Sequence, residues 1–129
     1  MIAVDTNIII RFLTQDDELQ FQNSREIFKN QHIFITDTVI LETVWVLTFK
    51  YDFERNEICT ALINLFGLPN IYLTNPELIA QVIQWYENGL DFADAFHLAQ
   101  SQHCSVFYTF DEKFVNKAKG LTQCRVQKP

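Results

Sequence analysis

The stretch DFADAFHLAQSQHCSVFYTFDEKF, residues 91–114, decides the fold. Asp91 stands before the apolar-rich run 92-FADAF-96, which is how a capped helix begins, and the helical pattern continues to about residue 103. Five residues, 106-VFYTF-110, then read as a short buried strand of β-branched and aromatic side chains. Asp111 closes that strand and opens another helical stretch over 111–119. Helix, strand and helix in direct succession are the unit of a parallel sheet, because parallel neighbours need a crossover between them.

The same alternation runs outward to both ends of the chain. Apolar runs 2-IAV-4, 33-IFI-35 and 71-IYL-73 predict further strands, and 124-CRV-126 a weak last one. Helices are expected at roughly 6–13, 17–30, 37–51, 54–67 and 75–88, with start signals at Thr36 or Asp37 and at Asn75–Pro76. The fold class is α/β, a parallel sheet with helices on both faces.

Composition fits one domain. The chain has 129 residues, 48% of them hydrophobic and 20% charged, enough for a full core. No apolar run is long enough for a membrane span, and no leader segment precedes the first strand, so a cytoplasmic protein is expected. Cys59, Cys104 and Cys124 are odd in number and lack CxxC spacing, which reads as buried reduced thiols. The net charge of −6 argues against a protein that grips nucleic acid by a broad basic surface. It leaves open an enzyme that brings its positive charge as a metal ion, and it suits a small cationic partner segment.

In parallel α/β sheets ligands bind beyond the carboxyl ends of the strands. Four acids map there. Asp5 ends the first strand, Glu42 lies about one turn into the helix after the second, Asp94 sits in the first turn of the 92–103 helix, and Asp111 follows the fourth strand. Each has a second reading. Asp5 and Asp111 are both placed to cap helices, and Asp91 with Asp94 resembles a capping box, in which we read Asp91 as the cap and Asp94 as the ligand. Glu42 is the one charge among Val39, Ile40, Leu41, Val44, Trp45, Val46 and Leu47, where an ionised carboxylate is costly unless paired or metal-bound. Thr6 and Asn7 read as turn and supporting residues. Two carboxylates about 4 Å apart repel by about 4 kcal/mol at an effective dielectric near 20, and a divalent cation removes that cost. Oxygen-only donors select Mg²⁺ or Mn²⁺ over zinc. His32, His97 and His103 show no metal-binding spacing, and His97 is read as a helix-packing residue.

Together, 4-VDTNIII-10, 41-LETVWVL-47, 91-DFADAFHLA-99 and 109-TFDEKF-114 resemble the PIN-domain nucleases, and most of all their VapC-like toxin branch. The resemblance covers essentially the whole chain. It implies one domain over residues 1–129, a three-layer α/β/α sandwich, and a sheet of about five strands with the first beside the fourth. It implies Mg²⁺- or Mn²⁺-dependent cleavage of RNA by Asp5, Glu42, Asp94 and Asp111, with Asp91 reaching the metal through water. It further implies a homodimer neutralised by a small antitoxin carrying a basic segment. One departure stands out: Lys113 occupies a place where the family often has a second acid, which puts a second metal in doubt. Arg11, Lys50 and Lys113 are candidates to grip the RNA backbone. Two rivals share the fold: a catalytically silent module that binds protein or RNA, and a nuclease of RNA processing with no antitoxin. The pattern argues against a receiver domain, since 71-IYLTN-75 offers no phospho-acceptor aspartate and a single acid follows the first strand.

Overall fold

The computed structural model describes residues 1–129, with one or two helices between each strand and the next. The chain divides into two compact units, Met1–Pro76 and Glu77–Pro129. In the first, β1 (Ile2–Ala3), β2 (Ile33–Ile35) and β3 (Ile71–Leu73) form a parallel sheet in that order. Helices α1 (Thr6–Thr14) and α2 (Glu18–Asn30) connect β1 to β2, and α3 (Asp37–Phe49) and α4 (Arg55–Phe66) connect β2 to β3. In the second, α5 (Pro76–Glu87) and α6 (Phe92–Gln100) precede β4 (Val106–Tyr108), and α7 (Glu112–Lys117) links it to its parallel partner β5 (Arg125–Gln127).

The α/β class is as expected. Hydrogen bonding is divided, however, into three strands and two rather than one sheet of five. With only Ile2 and Ala3 paired, β1 carries a single ladder, on β2, and the expected neighbour relation of first and fourth strands is not made by strand hydrogen bonds. Extension also stops early at 106-VFYTF-110: the strand ends at Tyr108, and Tyr108 and Phe110 are exposed rather than buried.

Each unit has its own apolar centre. In the first, Ile33 and Ile35 of the middle strand are fully buried, as are Ile9, Ile10, Ile40, Leu47, Ile58 and Leu62 from the helices. In the second, Ile79, Val82, Phe92, Ala95, Leu98 and Phe114 are buried. Cys59 and Cys124 are buried and Cys104 is exposed, so the expectation of three buried thiols holds for two. Burial, and then Cys104, push the Cys124 thiol above its ordinary range. No helix is long and apolar enough to cross a membrane.

The turn that aims α6 depends on one glycine. Gly89 has φ +118°, a region that side-chain-bearing residues rarely adopt, and its carbonyl accepts a 2.9 Å bond from Lys117 Nζ. Buried Leu90 follows, its amide bonded back to Trp85, and Asp91 then caps the helix.

Candidate active site

In the first unit, the chain leaves β1 through buried Val4 and reaches Asp5, the N-cap of α1. Asp5 Oδ1 accepts a 2.9 Å bond from the Asn7 amide, so both readings of this residue's position are compatible: one oxygen caps the helix and the other takes no hydrogen bond. Thr6 is buried and its hydroxyl donates to Glu42 Oε1, a contact between residues 36 positions apart in sequence. That bond fixes where the Glu42 carboxylate stands relative to the start of α1. Asn7 contributes through its backbone, and its side chain is exposed.

Glu42 itself is exposed, contrary to the burial inferred from its apolar neighbours. The reason lies in the helix. Thr36 caps α3 by accepting from the Val39 amide at 3.2 Å, and the phase thus set turns Thr38, Glu42, Trp45 and Phe49 outward. An almost wholly apolar helix carries no pattern from which that face could be read.

In the second unit, Asp91 is the cap of α6, its Oδ2 accepting from the Asp94 amide at 3.2 Å. Asp94 lies half-buried in the first turn, and its carboxylate accepts no hydrogen bond. Burial, and then the negative charges of Asp91 and Asp111, hold its pKa above the usual aspartate range, while His97 one turn on pulls the other way. Asp111 caps α7, its Oδ1 accepting from the amides of Lys113 at 2.9 Å and Phe114 at 3.2 Å. Its own amide donates to Thr109 Oγ1 at 3.0 Å. His97 is exposed, and its ring stacks beside that of Phe107 with centroids 6.5 Å apart.

The ion pairs Arg11–Asp16 and Lys128–Glu112 leave all five acids out. Unneutralised carboxylates of this kind suit a cation from solution. No group of three or more His, Cys, Asp or Glu side chains already stands in metal-holding arrangement. In each unit taken by itself the acids are oxygen donors of the kind a hard cation takes: Asp5 and Glu42 in the first, and Asp91 and Asp111 in the second, are each held by hydrogen bonds to one carboxylate oxygen only.

The candidate RNA-gripping residues differ. Arg11 donates to both oxygens of Asp16 (2.9 and 3.1 Å), to Gln20 and to Tyr51, so its guanidinium is committed within the protein. Lys50 and Lys113 are exposed and enter no ion pair.

Compared with known families, residues 2–120 match the PIN domain. The chain belongs to that family, whose members are generally nucleases that use divalent metals. A comparison with curated proteins finds no match.

Proposed function

We propose that this PIN domain, acting as one unit over its whole length, is an Mg²⁺- or Mn²⁺-dependent endoribonuclease. Asp5, Glu42, Asp94 and Asp111 hold the cation, and Asp91 approaches it through water while capping α6. The observation that carries the reading is the setting of Asp94. It is half-buried, raised in pKa and within the field of two further aspartates with no Lys or Arg paired to any of them. Such crowding costs stability and earns a place at sites of function.

A bound divalent ion supplies a water of lowered pKa and positive charge for the phosphate during in-line displacement. The chain's own part is positional. Thr6 holds Glu42, helix caps hold Asp5, Asp91 and Asp111, and Lys50 and Lys113 meet the flanking phosphates. No serine or cysteine nucleophile is required. The test is incubation of the purified protein with RNA in Mn²⁺ and in chelator: cleavage should need the ion and vanish in Asp94→Asn. Intact RNA under both conditions would favour a silent binding module.

The finer reading is a cytoplasmic, homodimeric VapC-like toxin neutralised by a small antitoxin. A protein of net charge −6 with an acidic site suits an inhibitor that presents a basic segment. An arginine is the expected contact, because its fork matches carboxylates and competes with the metal for them. Expressed alone the protein should arrest growth, Asp5→Asn should abolish the arrest, and the neighbouring small gene should relieve it. Mn²⁺-dependent cleavage without arrest would point instead to an RNA-processing nuclease.

A further inference from the structure

β4 brings two aromatic rings to the surface just ahead of Asp111. Side chains alternate along this segment. Phe107 packs inward, its ring 6.5 Å from that of His97 and 5.5 Å from that of Phe114. Tyr108 and Phe110, two residues apart, are 60% and 84% exposed, and Phe110 is the most exposed of all the large hydrophobic side chains. Neither ring meets another aromatic ring, and the Tyr108 hydroxyl has no hydrogen-bond partner.

The backbone beneath them is pinned. Thr109 donates its amide to Gln127 O at 3.1 Å, which carries the β4–β5 pairing one residue past the strand, and its hydroxyl accepts from the Asp111 amide at 3.0 Å. Phe110 is thus held between two tethered neighbours, so a planar ligand stacking on it need not first order a loop.

We propose that Tyr108 and Phe110 form a stacking platform for unpaired bases of single-stranded RNA, seating the strand next to Asp111. This rests on the RNA-cleaving reading of the acids. Two features favour RNA as the occupant. The platform is continuous in the chain with an acid of the proposed site, Phe110 being the residue directly before Asp111. The second is the form of the contact: two exposed aromatic rings on a pinned backbone bind base faces without drawing on charge, of which a protein with 16 acidic residues against 10 basic has little to offer a polyanion beyond single lysines. Stacking also demands exposed base faces, which a duplex conceals.

The experiment measures fluorescence anisotropy of a short labelled single-stranded RNA, and of the same strand annealed to its complement. The full chain carries Asp94→Asn to keep the RNA intact, in Mg²⁺. Phe110→Ala should weaken single-strand binding about tenfold, within the range that loss of one stacked base spans. Tyr108→Ala should weaken it less, and Phe110→Trp should retain it. Because the contact is uncharged, the loss should be the same at low and high salt, and duplex binding should not change. A change under about twofold for Phe110→Ala, an equal loss for duplex, or no single-strand binding at all overturns the platform. So does a variant that binds RNA normally but loses self-association, which would make the face a protein contact. Cleavage assays without the Asp94 change separate the two readings. Asp94-dependent cleavage untouched by Phe110→Ala sinks the platform alone, whereas aromatic-dependent binding without cleavage sinks the nuclease alone.

Discussion

The acids of the two compact units are held in different ways. In Met1–Pro76, Asp5 and Glu42 are tethered by neutral donors, the Asn7 amide and the buried Thr6 hydroxyl. In Glu77–Pro129, Asp91 and Asp111 are tethered likewise, but Asp94 has no donor and feels both of their charges. The first unit therefore fixes carboxylate position through hydrogen bonds, and the second stores electrostatic repulsion at one residue. Under the proposed function these are two parts of one task. Tethered acids need little reorganisation to meet a cation, and a crowded one supplies the drive to bind it.

The largest effect expected from that contrast is at Asp94. Asp94→Asn should lower RNA cleavage by about a thousandfold or more, the scale of losing an essential group, while leaving the fold intact. It should also raise the melting temperature at neutral pH. The sign follows from the linkage: a carboxyl whose folded pKa lies above its unfolded value destabilises the fold when ionised. That cost is complete above the folded pKa and disappears as pH falls through it to below the unfolded value. Melting curves of the parent and Asp94→Asn should therefore differ near pH 7 and converge in acid. A parent that is the more stable of the two at neutral pH would break the comparison.

Thr6 should come next. Thr6→Val keeps the buried volume and removes the only hydrogen bond to Glu42, so activity should fall about tenfold, less than for Glu42→Gln. If Thr6→Val cleaves RNA as fast as the parent, the tether on Glu42 is not part of the chemistry. A combined Thr6→Val, Glu42→Gln chain should be no worse than Glu42→Gln, because the hydroxyl acts through that carboxylate.

How much of this was legible depended on what kind of signal each residue carried. Strands Ile33–Ile35 and Ile71–Leu73 were readable to the residue, since each is a short apolar run bounded by polar residues, although only the first is largely buried and Tyr72 of the second is exposed. Caps at Asp91 and Asp111 were readable because capping is local chemistry, and the cap of α3 was narrowed to Thr36 or Asp37, of which Thr36 is the one. Glu42 was placed on the correct helix, but neither its bond from Thr6 nor its exposure was readable: α3 is apolar on nearly every side, and its outward face includes Trp45 and Phe49. Trp45 and Phe49 contact each other at 5.3 Å on that face, whereas Trp85 is core. Tyr108 and Phe110 were hidden for the same reason, inside a run of five residues with no charge. Their alternation with Phe107 and Thr109 was the available signal. Arg11 looked like a free cation because its partners, Asp16, Gln20 and Tyr51, are assembled only by the fold.

The smallest effect should be at Asp91, and it bears on how the second unit divides its labour. Asp91 Oδ2 caps α6 through the Asp94 amide, so the residue does two things: it satisfies a helix donor and it adds negative charge near Asp94. Asp91→Asn keeps the first and removes the second, because asparagine caps about as well as aspartate. Stability should then hold or rise slightly, the raised pKa of Asp94 should relax toward the ordinary range, and most cleavage should survive. Asp91→Ala removes both and should cost about 1 kcal/mol of stability through the lost cap. Urea denaturation of the three chains together with cleavage rates separates these roles. If Asp91→Asn is as inactive as Asp94→Asn yet equally well folded, the charge of Asp91 is itself required, and Asp91 joins Asp94 as a direct ligand instead of acting through water.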